Sequence, residues 1–160
     1  MKLRIRNRKE REKEKENGQA QVEFALTALF VILLIVGAIE LIVMVYTYTV
    51  LADSAKEGVR YAIVHGTGVG ASNCSGPGGS GTTCTDSTAA NVTAVVTKYA
   101  GYSFHDSTAV GNGVTVNYLD SSSVAPNRVQ VTVAYVYQPI FGLGWPSITV
   151  NAAAEGRIAF

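Results

Sequence analysis

The sequence predicts an α+β protein in which a long N-terminal transmembrane helix packs on a small antiparallel β-sheet with a short second helix. Three observations predict this fold. An apolar segment of 23 residues lies near the N-terminus, a helical repeat of apolar residues continues beyond it, and three alternating segments lie closer to the C-terminus. Hydrophobic residues make up 48% of the 160 residues and charged residues only 16%, which suits a chain with a membrane anchor and a small folded domain.

Residues 1–18 form a basic leader. Eight Lys and Arg side chains stand against four Glu side chains in residues 1–17, although the whole chain has a net charge of only +1. Positive charge beside an apolar segment indicates that this end stays in the cytoplasm. Nucleic-acid binding is the alternative use of a basic segment, but the interspersed glutamates and the missing aromatic residues argue against it, so we expect no nucleic-acid partner.

Residues 24–46 form the predicted membrane-spanning part of the helix. At about 1.5 Å per residue they extend roughly 34 Å, enough to cross a hydrocarbon core of about 30 Å. Their length and their apolar character around the whole circumference argue against a core helix. We expect a single-pass membrane protein, in contact with lipid, with its C-terminal domain on the extracytoplasmic side.

A conventional secretory signal is the alternative interpretation of this segment, because Val50 and Ala52 are placed like the small residues of a cleavage site. The apolar core of such a signal has about 7–15 residues, much fewer than this segment. Glu23 and Glu40 also lie beside or within it, and a removable signal has no use for them.

A glycine followed by a glutamate marks the junction between the leader and the apolar segment. Residues 17–24 read Asn-Gly-Gln-Ala-Gln-Val-Glu-Phe. A carboxylate such as that of Glu23 costs on the order of 2.5–3.5 kcal/mol in the bilayer unless it finds a partner. Glu23 therefore requires a cation, unless its side chain simply reaches the headgroups.

A second glutamate lies deeper in the apolar segment. Glu40 is roughly 24 Å along the helix from Phe24, and an ionisable residue inside a membrane segment is a hypothesis for a functional site. Gly37, close to it in sequence, would let another helix approach closely. We therefore predict a helix contact at Gly37 and Glu40. A protonated glutamate that faces lipid or bonds within its own helix is the alternative.

These features together resemble the TadE/TadG-like family, the pseudopilins or minor pilins of the tight-adherence (Flp) type IV pilus system. The resemblance is strongest over residues 17–65, where it is carried by a class III prepilin junction, an apolar helix with a second glutamate, and Ala-Lys-Glu-Gly-Val-Arg-Tyr-Ala at residues 55–62. Phe24 stands where major pilins more often have tyrosine. The resemblance implies a type IV pilin-like fold.

The resemblance also implies that a prepilin peptidase cuts the chain between Gly18 and Gln19. Glu23 and Phe24 would then follow the new N-terminus as its fifth and sixth residues, and Glu23 would pair with the new α-amino group to register an incoming subunit. The implied location is the bacterial inner membrane, and the implied partners are other pilin subunits, the peptidase and the inner-membrane assembly platform. Another pilin-like subunit or the platform would contact Gly37 and Glu40. Major Flp pilins are usually tiny, so the more than ninety residues after the helix indicate an accessory subunit.

Cys74 and Cys84 are the only cysteines of the chain. Because we expect them outside the cytoplasm, we predict a disulfide between them, worth somewhat under about 3 kcal/mol by the chain-entropy argument. His65 and His105 do not have the spacing of zinc ligands, so we expect no metal. The glycines at residues 66–70 lack the strand and helix of a phosphate-binding loop, so we expect no cofactor.

The first helix is predicted to cover residues 19–65, because its apolar repeat continues to about Val64. Its outer part carries an apolar stripe formed by Leu51, Ala55, Val59, Ala62 and Ile63. Residues 66–160 form the predicted extracytoplasmic α+β domain. Asp86 or Ser87 is predicted to cap a short helix there that runs through about Ala100, and Gly101 ends it. Its apolar side is formed by Val92, Val95, Val96 and Tyr99.

Strands at residues 114–118, 129–137 and 148–153 are predicted to form a three-stranded antiparallel meander against the first helix. A turn at residues 120–127 joins the first two strands. An aromatic loop at residues 139–146, with Phe141 and Trp145, joins the last two. We expect it to cover the sheet edge, and a contact surface is the alternative.

The sequence contains no nucleophile elbow, metal motif or recognisable acid pair, so we expect no enzyme. The predicted function is that of a pseudopilin, cut after Gly18 and extracted from the membrane to initiate or cap a pilus used in cell adhesion. One alternative is an uncleaved membrane-anchored periplasmic binding module of another envelope complex. The other, within the pilin class, is the major filament subunit.

Overall fold

The structure, a computed structural model, describes residues 2–160 except residues 71–72, 105–106, 143 and 145, and for residues 2–17 and 107–108 it describes the backbone alone. The predicted α+β arrangement is confirmed. Its elements are the helices α1 (Lys2–Val64), α2 (Ala90–Gly101) and α3 (Ser107–Gly111), a 3₁₀ turn (Thr67–Val69), and the strands β1 (Val114–Tyr118), β2 (Arg128–Tyr137) and β3 (Ile148–Arg157).

The chain divides into two compact units, Met1–Ile42 and Val43–Phe160. Helix α1 contributes its first part to the first unit and its last part to the second. It ends at Val64, as predicted, but its backbone is already helical at Lys2, ahead of the predicted start at Gln19. Lys, Arg and Glu dominate the leader and are good helix formers, and a single glycine such as Gly18 costs a helix only about 1 kcal/mol.

In the first unit, the large apolar side chains of α1 are exposed around the helix. Phe24 is 76% exposed, and only 6% of the most apolar window of Gly18–Val64 is buried. In the part of the chain that the structure describes, this is the one helix long and apolar enough to cross a membrane. Continuous apolar surface of this extent indicates that lipid or other helices cover it.

In the second unit, the predicted stripe of α1 forms one wall of a hydrophobic core. Leu51, Ala55, Val59 and Ala62 are buried. They share the core with alternate residues of β2 and with the inner face of α2, namely Val129, Val131, Val133, Val92, Val96 and Ala100. Period-two burial on β2 and a period of four on α2 give both elements one apolar face toward this core.

The sheet is the predicted antiparallel meander, with β2 between β1 and β3. Strand β1 has the predicted bounds, β2 begins one residue early at Arg128, and β3 continues past Ala153 to Arg157. Residues 153–156, Ala-Ala-Glu-Gly, have low strand propensity. They extend β3 because β2 offers partners as far as Arg128, and because Gly156 leaves room for Val59 and Ile63 of α1.

Helix α2 ends near the predicted residue. Asp86 caps it, as predicted, although the first helical residue is Ala90. Its carboxylate accepts hydrogen bonds from the backbone N–H groups of Ala90 (2.7 Å) and Asn91 (2.9 Å), so it caps the helix from four residues away. The intervening turn places Ala89 in the left-handed region, at φ 56°. The buried stripe includes Ala100, whereas the predicted Tyr99 is 40% exposed. Helix α3 was not predicted.

The loop between β2 and β3 is only partly described. Trp145 lies outside the described residues, whereas Ile140 and Phe141 are exposed. The expectation that this loop covers the sheet edge stays a prediction.

Candidate functional site: the N-terminal helix and its junction

The predicted cleavage junction lies within α1 and is not marked by a turn. A side chain at Gly18 would meet no neighbouring atom within 4 Å. Gln19 donates a hydrogen bond from Nε2 to Oε1 of Glu23 (3.3 Å), and Thr27 donates from Oγ1 to the backbone O of Glu23 (2.8 Å). Residues four apart lie on one face of a helix, so Gln19, Glu23 and Thr27 form one polar strip at the start of the apolar segment.

The carboxylate of Glu23 has no basic residue close to it in the sequence. No Lys or Arg occurs from Gly18 to Ala55. Glu23 is exposed, and the hydrogen-bond donor beside it, the amide of Gln19, is neutral. On the mature side of the junction, the chain therefore supplies no nearby cationic side chain to this carboxylate.

Gly37 and Glu40 lie three residues apart, on adjacent turns of one helix face. Glu40 is 3% exposed and Gly37 is half-buried. Between Gly18 and Glu40, Glu40 alone is buried, and Ala28, Val36 and Gly37 are half-buried. The contact with another membrane helix predicted for them stays a prediction.

In the second unit, the predicted disulfide joins Cys74 and Cys84, with a Cα–Cα distance of 5.8 Å. Three elements hold the chain beside Cys74. The N–H of Ser75 donates to O of His65 at the end of α1 (2.6 Å), the Asn91 side chain of α2 donates to O of Cys74 (3.1 Å), and the hydroxyl of Tyr118 of β1 donates to O of Ser75. The disulfide loop thus connects α1 and α2 to the sheet.

Burial raises the pKa of two tyrosines in this region. It raises the pKa of Tyr118 to about 12, an effect that the Ser75 side chain partly opposes and Asp86 reinforces. Burial, and then Asp86, also raise the pKa of Tyr61. The Tyr61 ring stacks on His65 at 3.9 Å between centroids, which places that histidine in a packed position.

The charged residues of the sheet gather at the end opposite the β2–β3 loop. The guanidinium of Arg128 donates two hydrogen bonds to Asp120 (3.1 and 3.3 Å), and its backbone N–H donates a third (2.9 Å). These bonds hold the pKa of Asp120 below its usual value. The turn at residues 120–127 was predicted, but this pairing depends on strand register and has no signal in the sequence.

No group of three or more His, Cys, Asp or Glu side chains comes together as a metal site within the part of the chain that the structure describes. His105 lies outside that part.

The fold and the helix together define a class of protein, an α+β domain that carries a single apolar N-terminal helix able to anchor it in a membrane. Residues 18–60 match the model of the TadE-like protein family. The match covers about a quarter of the chain and makes this segment similar to TadE-like proteins, a family associated with the Tad pilus. No curated protein and no solved structure matches the chain.

Proposed function

We propose that this protein is a minor pilin, or pseudopilin, of a tight-adherence type IV pilus, cut by a prepilin peptidase between Gly18 and Gln19. The observation that carries the proposal is that the TadE-like segment begins at Gly18 itself. Everything before this residue is a basic leader of different composition. A family segment that starts at the proposed cut is what removal of the leader would leave as the mature subunit.

The electrostatics of Glu23 support the same cut. A carboxylate at the bilayer edge is stabilised by a cation, and no Lys or Arg occurs from Gly18 to Ala55. Cleavage would create an α-amino group on Gln19, one helical turn before Glu23. The side chain of Gln19 already lies within hydrogen-bond distance of Glu23. The new amine could pair with Glu23 of its own chain or of a neighbouring subunit.

The exposed apolar surface of α1 is the proposed assembly surface. Lipid would cover it in the inner membrane, and the helices of other pilin subunits would cover it in a pilus. Exchange of lipid for another apolar helix yields little hydrophobic free energy, because both are equally apolar. Assembly therefore depends on specific contacts, and we assign these to Glu23 and Phe24 at the junction and to Gly37 and Glu40 further along the helix.

The proposed topology follows from charge and redox chemistry. The leader, residues 1–18, lies in the cytoplasm, residues 24–46 cross the inner membrane, and residues 66–160 lie outside. The excess of basic residues before the apolar segment supports this orientation. The Cys74–Cys84 disulfide supports it independently, because disulfides persist in oxidising extracytoplasmic compartments. We propose a structural role, without enzymatic activity.

The N-terminal residue of the membrane-extracted protein tests the proposal. Mass spectrometry on cells with an active prepilin peptidase should find a chain that begins at Gln19, and cells without the peptidase should yield the uncut chain. Gly18→Ala should block cleavage in the presence of the peptidase. Because the added Cβ meets no atom within 4 Å, that variant tests recognition by the peptidase rather than folding. Gln21→Ala, at an exposed position of the same helix, is the matched control and should be cut normally.

An uncut chain in every strain would contradict the proposal and would favour an uncleaved membrane-anchored binding module. A chain that begins near Asp53 would instead indicate a conventional secretory signal. Copy number in sheared filaments separates the accessory role from that of the major subunit, since only a major subunit would dominate the filament.

A further inference from the structure

The end of the sheet that carries the β2–β3 loop lies beside the segment of α1 that leaves the membrane. Strand β2 ends at Tyr137 and β3 begins at Ile148. Tyr137, Ile140 and Thr149 line one open groove, of about 880 Å³, together with Tyr46 and Thr47 of α1. Tyr46 is the last residue of the proposed membrane segment. This end of the outer domain is therefore at the level of the bilayer surface whenever α1 is inserted.

The side chains exposed at this end are apolar or aromatic. Ile140 is 63% exposed and Val136 is 53% exposed. Phe141 and Ile148 are also exposed, as are Tyr46 and Tyr48 on the neighbouring turn of α1. An exposed apolar cluster of this kind on a folded domain indicates a surface that another phase or partner covers.

The distribution of charge indicates which covering fits. The sequence contains no Asp, Glu, Lys or Arg between Arg128 and Glu155, so both strands are uncharged toward the loop. The charged side chains of the sheet, Asp120, Arg128, Glu155 and Arg157, all lie at the other end. Two strands that are charged at the end far from the bilayer, and uncharged and partly aromatic at the near end, match the polarity of a membrane interface.

We propose that this end of the outer domain, formed by Val136, Ile140, Phe141 and Ile148 together with Tyr46 and Tyr48 of α1, rests in the lipid headgroup region of the outer leaflet. Tyr46 of this surface is also the last residue of the proposed membrane-spanning segment. The contact requires that α1 is inserted, but it requires neither cleavage after Gly18 nor a pilus. Because none of the six named side chains is charged, the contact does not depend on anionic lipid.

Fluorescence of the full-length protein in phosphatidylcholine nanodiscs tests this contact. Trp145 is the only tryptophan of the chain, and its position in the sequence is within the β2–β3 loop. Lipids brominated on their acyl chains quench tryptophans near the membrane. We expect Trp145 to lose at least about half of its emission in brominated nanodiscs, as befits an aromatic ring at the interface. The loss should be the same at low and high salt, because it involves no ion pairing.

Two single-tryptophan variants calibrate the measurement. Trp145→Phe combined with Phe30→Trp places the reporter in the anchor and should be quenched more strongly than the native protein. Trp145→Phe combined with Leu119→Trp places it beside Asp120, at the charged end, and should not be quenched. Ile140→Asp should reduce quenching of Trp145 at least twofold. Val69→Asp, an exposed valine on the 3₁₀ turn, is the matched control and should leave quenching unchanged.

An unquenched Trp145 beside a quenched anchor reporter would overturn the lipid contact and leave the membrane anchor intact, and a neighbouring pilin subunit would then be the better occupant. If the anchor reporter also stays unquenched, both the anchor and the contact are wrong. Equal quenching at Leu119→Trp would overturn the contact as well, because it would show that the whole domain adsorbs without orientation.

Discussion

Helix α1 has one backbone conformation and two different environments. Between Gly18 and Ile42 its large apolar side chains are exposed on all sides. Between Leu51 and Ala62 the apolar residues recur at intervals of three and four and are buried against the sheet and α2. The comparison shows that the periodicity of apolar side chains indicates whether a part of the helix is surrounded by lipid or by protein. Apolar residues on every face suit lipid, and an apolar stripe suits a protein core.

The largest expected effect is on the stability of the outer domain, and it distinguishes a buried valine of β2 from an exposed one. Val131→Asp puts a charge at a fully buried position of β2, where no partner is available, and should destabilise the outer domain by at least about 4 kcal/mol. Val136→Asp, on the same strand but 53% exposed, should change stability by less than about 1 kcal/mol in detergent. Denaturant unfolding of the purified proteins measures both. Equal losses would show that β2 does not have one buried face.

The second effect concerns the membrane half alone. Glu23→Gln keeps the size and the hydrogen-bonding capacity of the side chain but removes its charge, and should reduce incorporation into pili by on the order of tenfold to a hundredfold, the equivalent of a lost charge pair. Unfolding of the outer domain should be unchanged. Glu16→Gln is the matched control, since the leader that contains it is proposed to be removed. Normal incorporation of a correctly cleaved Glu23→Gln subunit would refute the registration role.

The third effect lies in the outer unit. Replacement of both Cys74 and Cys84 by serine should lower its free energy of unfolding by about 2–3 kcal/mol, because the unfolded chain regains the entropy of an open loop. Membrane insertion of α1 should be unaffected. Denaturant midpoints with and without a reducing agent measure the loss. Reduction should shift the wild-type midpoint and leave that of the double variant where it is, and a shift in both would point to a cause other than the disulfide.

A smaller effect compares two glycines of the same helix. A Cβ at Gly58 would lie 2.5 Å from Cγ2 of Val96 in α2, whereas a Cβ at Gly18 would meet nothing within 4 Å. Gly58→Ala should therefore destabilise the outer domain by about 1–2 kcal/mol, overpacking outweighing the gain in helix propensity. Gly18→Ala should leave it unchanged. Thermal unfolding of the two variants checks this, and a stabilised Gly58→Ala would show that α1 and α2 are packed less closely than the structure indicates.

The smallest effect is a pH dependence confined to the outer unit. The pKa of Tyr118 is raised to about 12 in the folded domain and should be near 10 in the unfolded chain. Its contribution to stability is then complete below about pH 10 and is lost as the pH rises toward 12, because the unfolded chain ionises first. The loss should reach at most about 2 kcal/mol, since the side chain is only partly buried.

Rapid denaturant unfolding between neutral and alkaline pH measures this loss. Tyr118→Phe should be less stable at neutral pH by about 1 kcal/mol, because the hydrogen bond to Ser75 is gone, and should show a shallower alkaline decline. Tyr61 contributes a remaining slope of the same sign, since its pKa is also raised. An identical decline in Tyr118→Phe would contradict the assignment.

Much of the architecture could be predicted where the local sequence pattern agrees with the packing of the folded domain. Strand β1 and the end of α1 agree with their predicted bounds, because alternation and helical repeat are visible over a few residues. Asp86 could be predicted as the cap of α2, but the start of the helix at Ala90 could not, because local propensity does not reveal the turn between them. The resemblance to the TadE-like family was recognisable from the residues around Gly18 and Glu23, and residues 18–60 match that family's model. Cleavage at Gly18 stays a prediction.

By itself the sequence determined the apolar segment, its basic flank, the spacing from Gly18 to Glu23, and the order of α1, α2 and the three strands, because each depends on residues close together in the chain. Only the tertiary structure decided the extension of β3 to Arg157, the attachment of the disulfide loop to α1, α2 and β1, and the position of Ile140 beside Tyr46. These features join residues distant in sequence. They depend on strand register and on the fit of side chains such as Val59 against Gly156, which no local pattern encodes.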